Sequence, residues 1–454
     1  MERYDLIVIG AGSAARDAAR KASTDFGAKV ALVERTRWGG SCPNVACKPT
    51  KAYLVAAELH RDLRTIGPKL GLDAPPALAD LHAIHAWKET LRKPQERWVA
   101  DLNEQGHDTY DGAATFVDPR TLRVDDVELT SERILIGTGS RTAVPPIPGL
   151  DELEWIDHVT ALDLEELPES LLVLGGGPVG LEFAQIFARF GSRVTVVQTA
   201  PRISPRSDAE ATAVLTAALE EEGIDVLTGI SVERFEGRTA TLADGRTVDA
   251  ERVLLASGRA PNVEELGLDR IGVRTNGSGI EVNDRMRTSV SGIWAAGDVT
   301  GQHQFTPIAQ YQARIAVLDM FSPNGHAADY SILPTAIFTD PELGAVGLTE
   351  DEARERGHDV ATATHPLTNV TRSQYVAERH GLYKLVYERG SRRLLGLHVV
   401  SRGASDIVQG FAFALRAGST VDDLAQMHHV YPSWGEGVKG AAEQAKPEPE
   451  RVAT

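Results

Sequence analysis

Cys42 and Cys47 are the only thiols in this 454-residue sequence, and four residues separate them. A structural bridge closing so short a loop would add only about 2 kcal/mol through loop-closure entropy. A chain of this length can bury a large core and does not depend on such a staple. Secreted disulfide frameworks use more cysteines. A solitary close pair in a reducing compartment therefore points to catalysis by a redox-active disulfide.

The surrounding residues, Gly39-Gly40-Ser41-Cys42-Pro43-Asn44-Val45-Ala46-Cys47-Lys48-Pro49-Thr50-Lys51, sharpen that expectation. Proline suits the first position of a helix, so Pro43 predicts Cys42 at a helix N-terminus. A thiolate there gains from the helix dipole, and Lys48 and Lys51 favour it further. Metal binding is the competing chemistry, but no second Cys/His pair accompanies these two thiols, and no metal site is expected.

Two further motifs must position this pair. Leu6-Ile7-Val8-Ile9-Gly10-Ala11-Gly12-Ser13-Ala14-Ala15 reads as an apolar strand, a glycine turn and an alanine-rich helix, and a second strand ends at Glu34. Leu171–Gly180, with Gly175, Gly177 and Gly180, repeats the pattern, and its second strand ends at Gln198. Both are βαβ units of the dinucleotide-binding kind. Gly10 and Gly12 let the backbone approach a pyrophosphate resting on the helix N-terminus, and Glu34 is placed for an adenosine ribose. Two dinucleotides in one chain suggest electron transfer between them, commonly from nicotinamide to flavin. Gln198 lacks the carboxylate that would favour NAD and repel a 2′-phosphate. With Arg202 and Arg206 just downstream this favours NADPH, NADH being the alternative if the arginines are solvated surface residues.

The rest of the sequence bounds the organisation. Composition is ordinary for a globular protein, 42% apolar and 24% charged. A net charge of −17 offers no basic field for nucleic acid or an anionic membrane. No apolar run reaches the roughly 18 residues needed to span a bilayer. The short stretch Leu6–Ile9, preceded by Glu2 and Asp5, does not read as a signal peptide. A cytoplasmic protein of two to four domains is expected. A helical stretch at about Lys51–Gln105 precedes short strands, and Pro145, Pro146 and Pro148 mark a linker near Gly149. Strands resume after the second unit to about Asn262. Beyond about Pro334, Leu382–Tyr387 and Leu394–Val400 read as strands and Ala404–Ala417 as a helix. The Pro- and Glu-rich tail from Glu443 to Thr454 reads as disordered.

Taken together, these motifs resemble the flavoprotein pyridine nucleotide-disulfide oxidoreductases, the family of glutathione reductase, dihydrolipoamide dehydrogenase and mercuric reductase. The resemblance extends to about Ala442 and includes the two-cysteine segment, Gly137-Thr138-Gly139, Ala256-Ser257-Gly258 and Thr288 followed by Ile293–Asp298. It implies an α/β fold: two Rossmann-like dinucleotide-binding domains and a C-terminal α+β dimerisation domain. The expected boundaries are 1–149 for FAD, 150–265 for NAD(P)H, 266–333 for the return to the FAD-binding and central part, and 334–454 for dimerisation. By resemblance Cys47 makes a charge-transfer contact with the flavin, Cys42 exchanges with substrate, and Lys51 pairs with Glu182 beside the flavin. A helix-face surface charge is the plain alternative for Glu182. Asp298 would hold the ribityl chain, and Ala15, Ser41, Thr138, Gly139, Gly258 and Thr306 would complete the cofactor sites.

The family's C-terminal signature is His-Pro followed four residues later by Glu, the histidine being delivered by the partner subunit. Here the stretch is His428-His429-Val430-Tyr431-Pro432-Ser433-Trp434-Gly435-Glu436. Glu436 is kept, but Tyr431 stands at the histidine position. Tyrosine's reference pKa is about 3.5 units above that of histidine, nearly 5 kcal/mol of proton affinity, which makes it a poor base at pH 7. This counts against ordinary dihydrolipoamide or glutathione chemistry, and His429 is the nearby alternative base. Tyrosine at this position resembles the mercuric-reductase subgroup, as do Thr339-Asp340-Pro341 and Asn369-Val370-Thr371-Arg372; an aromatic core residue before a proline is the plain alternative. Mercuric reductases also carry a terminal cysteine pair that this sequence lacks, and soft Hg(II) wants thiolates. Lys48 either favours an anionic substrate or simply faces solvent. The expected function is an FAD-dependent NAD(P)H oxidoreductase, a homodimer with shared active sites. It would pass electrons through Cys42–Cys47 to a small acceptor: a low-molecular-weight disulfide, Hg(II) or a quinone. A dihydrolipoamide dehydrogenase subunit of a larger complex and a non-catalytic redox sensor are the rivals.

Overall fold

A computed structural model describes residues 2–72, 79–323 and 325–445. The chain divides into two units, each assembled from three stretches of sequence.

The first unit comprises residues 1–52, 85–143 and 258–329. Its centre is a five-stranded parallel sheet in the order Ile293–Ala295, Ile134–Ile136, Leu6–Ile9, Val30–Glu34, Asp108–Asp111. The inner strands are apolar along their whole length because both faces are covered. Alternation divides them: Leu6, Val8, Val30 and Leu32 join a core with the helices, while Ile7, Ile9, Ala31 and Val33 join one with Phe116, Leu122 and Leu129. Helices Ser13–Phe26 and Thr306–Phe321 share the first of these cores, where Ala14, Ala15, Ala18 and Ala19 lie with Ala309, Ala313 and Ala316. Small side chains allow this close approach. A four-stranded sheet, Glu2–Arg3, Val127–Thr130, Thr121–Val124 and Ala114–Asp118, contributes to the other core.

The second unit comprises residues 53–84, 144–257 and 330–454. It repeats the parallel motif with Asp225–Thr228, Arg193–Gln198, Ser170–Leu174 and Arg252–Leu255, and helix Pro178–Phe190 follows the glycine turn. Its C-terminal part is a five-stranded antiparallel sheet in the order Thr335–Ile337, Glu342–Gly347, Leu394–Ser401, Leu382–Glu388, Val360–Pro366. Helix Ala404–Ala417 packs on it through Ala404, Val408, Phe411 and Leu415. A largely buried ion cluster ties the pieces of this unit together: Arg402 to Asp62 (2.6 Å) and Glu378 (3.0 Å), and Arg189 to Glu222 (2.6 Å) and Asp340 (3.0 Å). The buried charges are mutually compensated, the condition for tolerating their desolvation.

Three expectations change here. The helix expected near Cys42 is the single turn Ser41–Asn44, and the long helix Cys47–Thr65 opens on Cys47 instead. The helical stretch thereafter is broken into Leu81–Thr90 and Gln95–Glu104. Glu443, placed in the disordered tail, belongs to helix Glu436–Gln444, because Ala441 and Ala442 bury against the C-terminal core; residues 446–454 lie outside the described ones.

Candidate functional site

In the first unit the glycine turn is forced by contact as well as by φ. Gly10 has φ +106°, and a Cβ there would lie 2.5 Å from the Gly137 carbonyl oxygen. Ala15, fully buried, is the third small residue of the motif and lies close to Gly137. Gly12 caps helix Ser13–Phe26 without any side-chain cap bond among the described residues, an arrangement that leaves first-turn amides for a pyrophosphate. Glu34, at the end of its strand, accepts from Ala11 N (2.8 Å), Thr36 N (2.9 Å) and Arg37 N (3.2 Å), which sets a carboxylate beside the turn. Asp298 accepts from Ser140 Oγ (2.7 Å), and that hydroxyl in turn accepts from Arg259 Nε (2.7 Å). Thr138 Oγ1 donates to Asn262 O, and Asn262 Nδ2 donates back to Thr138 O, fixing the crossing that contains Gly139 and Gly258. These residues fit an extended dinucleotide: an uncapped helix terminus for the pyrophosphate, and carboxylates for hydroxyls.

The cysteine segment is held by the same unit. Asn44 is buried and donates through Nδ2 to Trp38 O (3.0 Å) and Gly40 O (2.7 Å), folding the loop on itself. Gly40 must be glycine, since a Cβ would strike Gly12 Cα. The loop and the dinucleotide turn are thus in backbone contact. Cys42 and Cys47 are thiols in this structure, Cys42 half-buried and Cys47 exposed. Ser41 and Lys48 are exposed, as a solvent-facing Lys48 requires. The Thr306 hydroxyl lies 3.8 Å from Cys47 Sγ.

The Cys47 S–H donates to the Cys42 thiolate, and with help from Thr306, Arg16 and Lys51 this outweighs burial and pushes the Cys42 thiol down to about 6. Cys47 is pushed up, because it supplies that hydrogen bond and a second thiolate would face the first. Reduced protein should therefore react with iodoacetamide about tenfold faster per pH unit up to roughly pH 6 and then level off. A rate still rising between pH 7 and 8.5 would mean that neither thiol is activated. The resemblance assigns the flavin-facing thiolate to Cys47, and Arg16 acts as an additional cation on Cys42.

The second unit holds the remaining candidates. Gly175 (φ +115°) crosses the Ala256 carbonyl, Gly177 caps helix Pro178–Phe190 without a side-chain bond, and a Cβ on Gly180 would collide with Gly175 O. Gln198 ends its strand. Arg202 donates to the carbonyls of Pro205 (3.0 Å) and Ser207 (3.5 Å), so its guanidinium braces its own loop, while Arg206 is exposed. Glu182 is 5% exposed and accepts from Phe338 N (3.1 Å), which removes the surface-charge reading. Glu436 accepts from the Thr371 amide, and its Oε2, like His429 Nε2, is buried with no partner among the described residues. Tyr431 is 72% exposed, which removes the core-aromatic reading.

Sequence reasoning passed over Arg16, Trp98, Ser140 and Arg259. Arg16, Ser140 and Arg259 each directly follow a motif residue, Ala15, Gly139 and Gly258, but the contacts that give them and Trp98 their place are distant in sequence.

Residues 4–313 match the model of the pyridine nucleotide-disulphide oxidoreductase family, and residues 333–442 match the dimerisation domain of that family. A mercuric reductase of Streptomyces lividans is 39% identical over 455 residues, covering 97% of this chain and 96% of its own. A dihydrolipoyl dehydrogenase of Thermus scotoductus is 37% identical over 457 residues, covering 98% and 97%. Among solved structures, a Cu(II) complex of the HOCl-induced flavoprotein disulfide reductase RclA from Escherichia coli superposes with a TM-score of 0.87 at 29% identity, covering 98% of this chain and all of that one. With both parts of one family's architecture matched and relatives aligned along almost the whole sequence, this chain belongs to the pyridine nucleotide-disulphide oxidoreductases, FAD-dependent enzymes that draw electrons from NAD(P)H.

Proposed function

We propose that this protein is an NADPH-dependent reductase of a low-molecular-weight disulfide, acting through Cys42 and Cys47 as a homodimer in the cytoplasm. The observation that carries this reading is the thiol pair itself: Cys42 and Cys47 sit on a loop in backbone contact with a dinucleotide turn, with the Thr306 hydroxyl 3.8 Å from Cys47 Sγ and the Cys42 thiol pushed down toward about 6 by its neighbour. FAD, held by Gly10, Gly12, Glu34 and Asp298, supplies the two-electron carrier between nicotinamide and disulfide. Cys42, as thiolate, attacks one sulfur of the acceptor disulfide and expels the other as a thiolate, which takes the Cys47 proton and so leaves Cys47 as the attacking thiolate for the second step. Cys47 then attacks Cys42, closing the Cys42–Cys47 disulfide, and the second leaving group departs as a thiolate and is protonated by solvent.

Exposed Phe413, Met427, Val430 and Tyr431 in the C-terminal part support the homodimer, as does the dimerisation domain. Among the described residues no helix is long and apolar enough to cross a membrane. A second reading, reduction of a soft metal ion, is favoured by the likeness to mercuric reductases and by Tyr431. NADPH consumption against small disulfides, lipoamide, quinones, Hg(II) and Cu(II) separates the two. Turnover with a metal ion but with no disulfide would overturn the first.

Preference for NADPH is supported by Gln198 at the strand end and by the exposed Arg206. Gln198→Glu is expected to move the ratio of kcat/KM values toward NADH by roughly 1–3 kcal/mol, the worth of a charge-assisted hydrogen bond. An unmutated enzyme that prefers NADH would remove the assignment.

A further inference from the structure

We infer that Arg16 is the fixed counter-cation of the Cys42 thiolate, a positioning residue that keeps the exchange thiol ionised without a base from the Tyr431 position. The inference rests on the reading of Cys42 as the exchanging thiol.

Arg16 lies in the first turn of helix Ser13–Phe26, its amide bonded to Gly12 O (3.0 Å). Gly12 is the residue that Gly40 of the cysteine loop crosses. The guanidinium is held sideways by a platform: its Cζ stands 4.4 Å from the centre of the Trp98 ring. That ring is fixed against the same loop, since a Cβ on Gly39 would lie 2.5 Å from Trp98 Cε2. Trp98 therefore joins the arginine and the cysteine loop, and the cation does not have to be steered by a flexible side chain alone.

The charges around Arg16 leave it without a carboxylate of its own. Asp17 on the same helix is buried and committed to Arg20 (2.7 Å) and Arg314 (2.6 Å). Asp101, on helix Gln95–Glu104, forms ion pairs with Lys93 and Arg97 (2.8 Å), and its buried Oδ1 accepts no hydrogen bond among the described residues. Among the described residues no carboxylate forms an ion pair with Arg16, and its Nε is buried without a hydrogen-bond partner. Thr306 and Lys51 are the other polar groups acting on the thiols. Burial alone pulls the arginine's proton affinity down, and Cys42 first and then Asp17, already shared with Arg20 and Arg314, offset this. A half-buried cation is costly unless compensated. Ionisation of Cys42 supplies the compensating charge, so each group stabilises the charged form of the other.

The test isolates Cys42 in a Cys47→Ser background with FAD bound and follows its alkylation by iodoacetamide from pH 4.5 to 9.5. Arg16→Gln is expected to raise the midpoint by about one unit, a roughly tenfold slower reaction at pH 6. Arg16→Lys should restore it to within about 0.3 unit, because charge rather than shape is responsible. Arg16→Met, which still packs on Trp98, serves if Arg16→Gln does not retain flavin. An unchanged midpoint in the neutral variants, or a shift in Arg16→Lys as large as in Arg16→Gln, overturns the inference. Failure of the underlying reading looks different: Cys42→Ser would keep its disulfide turnover, whatever the alkylation midpoints show.

Discussion

Cys42→Ser and Cys47→Ser should each lower turnover with a disulfide acceptor by about 10³-fold or more, while NADPH still reduces the bound flavin at the unmutated rate. Serine oxygen cannot carry the disulfide, so electrons reach the flavin and stop. FAD retention is expected because its residues, Gly10, Gly12, Glu34 and Asp298, depend on strand ends and glycine contacts and not on either thiol. The two variants should differ in their spectra. In Cys42→Ser the remaining thiol opens helix Cys47–Thr65, next to Thr306, and no second thiolate resists its ionisation. A long-wavelength thiolate-to-flavin absorption is therefore expected in Cys42→Ser and absent in Cys47→Ser. Stopped-flow reduction, steady-state turnover and the absorption spectrum decide the matter together. Turnover within tenfold of the unmutated enzyme in either variant would remove the disulfide from the reaction, and absorption persisting in Cys47→Ser would exchange the roles of the two cysteines.

Tyr431→Phe is expected to slow turnover with the physiological acceptor by about 10²-fold, the lower end of what a positioned proton donor contributes, and to leave flavin reduction by NADPH unchanged. The side chain is 72% exposed in the single chain, so its removal should cost little folding stability. In a homodimer it would face the partner's Cys42, where a phenol can orient substrate or donate a proton but is a poor base at pH 7. Tyr431→His should accordingly raise any weak activity toward lipoamide or glutathione disulfide. His429 is the control, since its Nε2 is buried without a partner among the described residues and it lies two residues away. If His429→Ala abolishes activity while Tyr431→Phe does not, the base is His429. Unchanged turnover of Tyr431→Phe with every disulfide and with Hg(II) would reduce the tyrosine to part of the dimer surface.

What the sequence determined by itself is local. Gly10 and Gly175 announce their turns because only glycine readily adopts φ near +110°, and Gly180 because its Cβ would meet the Gly175 carbonyl, demands written within ten residues. The apolar runs Leu6–Ile9 and Leu171–Leu174 read as strands because each is short, apolar and closed by a glycine turn, and the cysteine spacing needs no third dimension to suggest a redox pair. The tertiary structure decided the environments. It buried Glu182 against Phe338 and committed Arg202 to its own loop. It set Ser140 and Arg259 around Asp298, and it seated Arg16 on Trp98 beside the cysteine loop. Arg16 and Trp98 are far apart in sequence, and nothing in either neighbourhood hints at the other. Charge and hydrogen bonding act through space at a few ångströms, so which cation serves which thiol is fixed only when distant segments pack. Backbone strain acts within a turn, and so the turns were legible first.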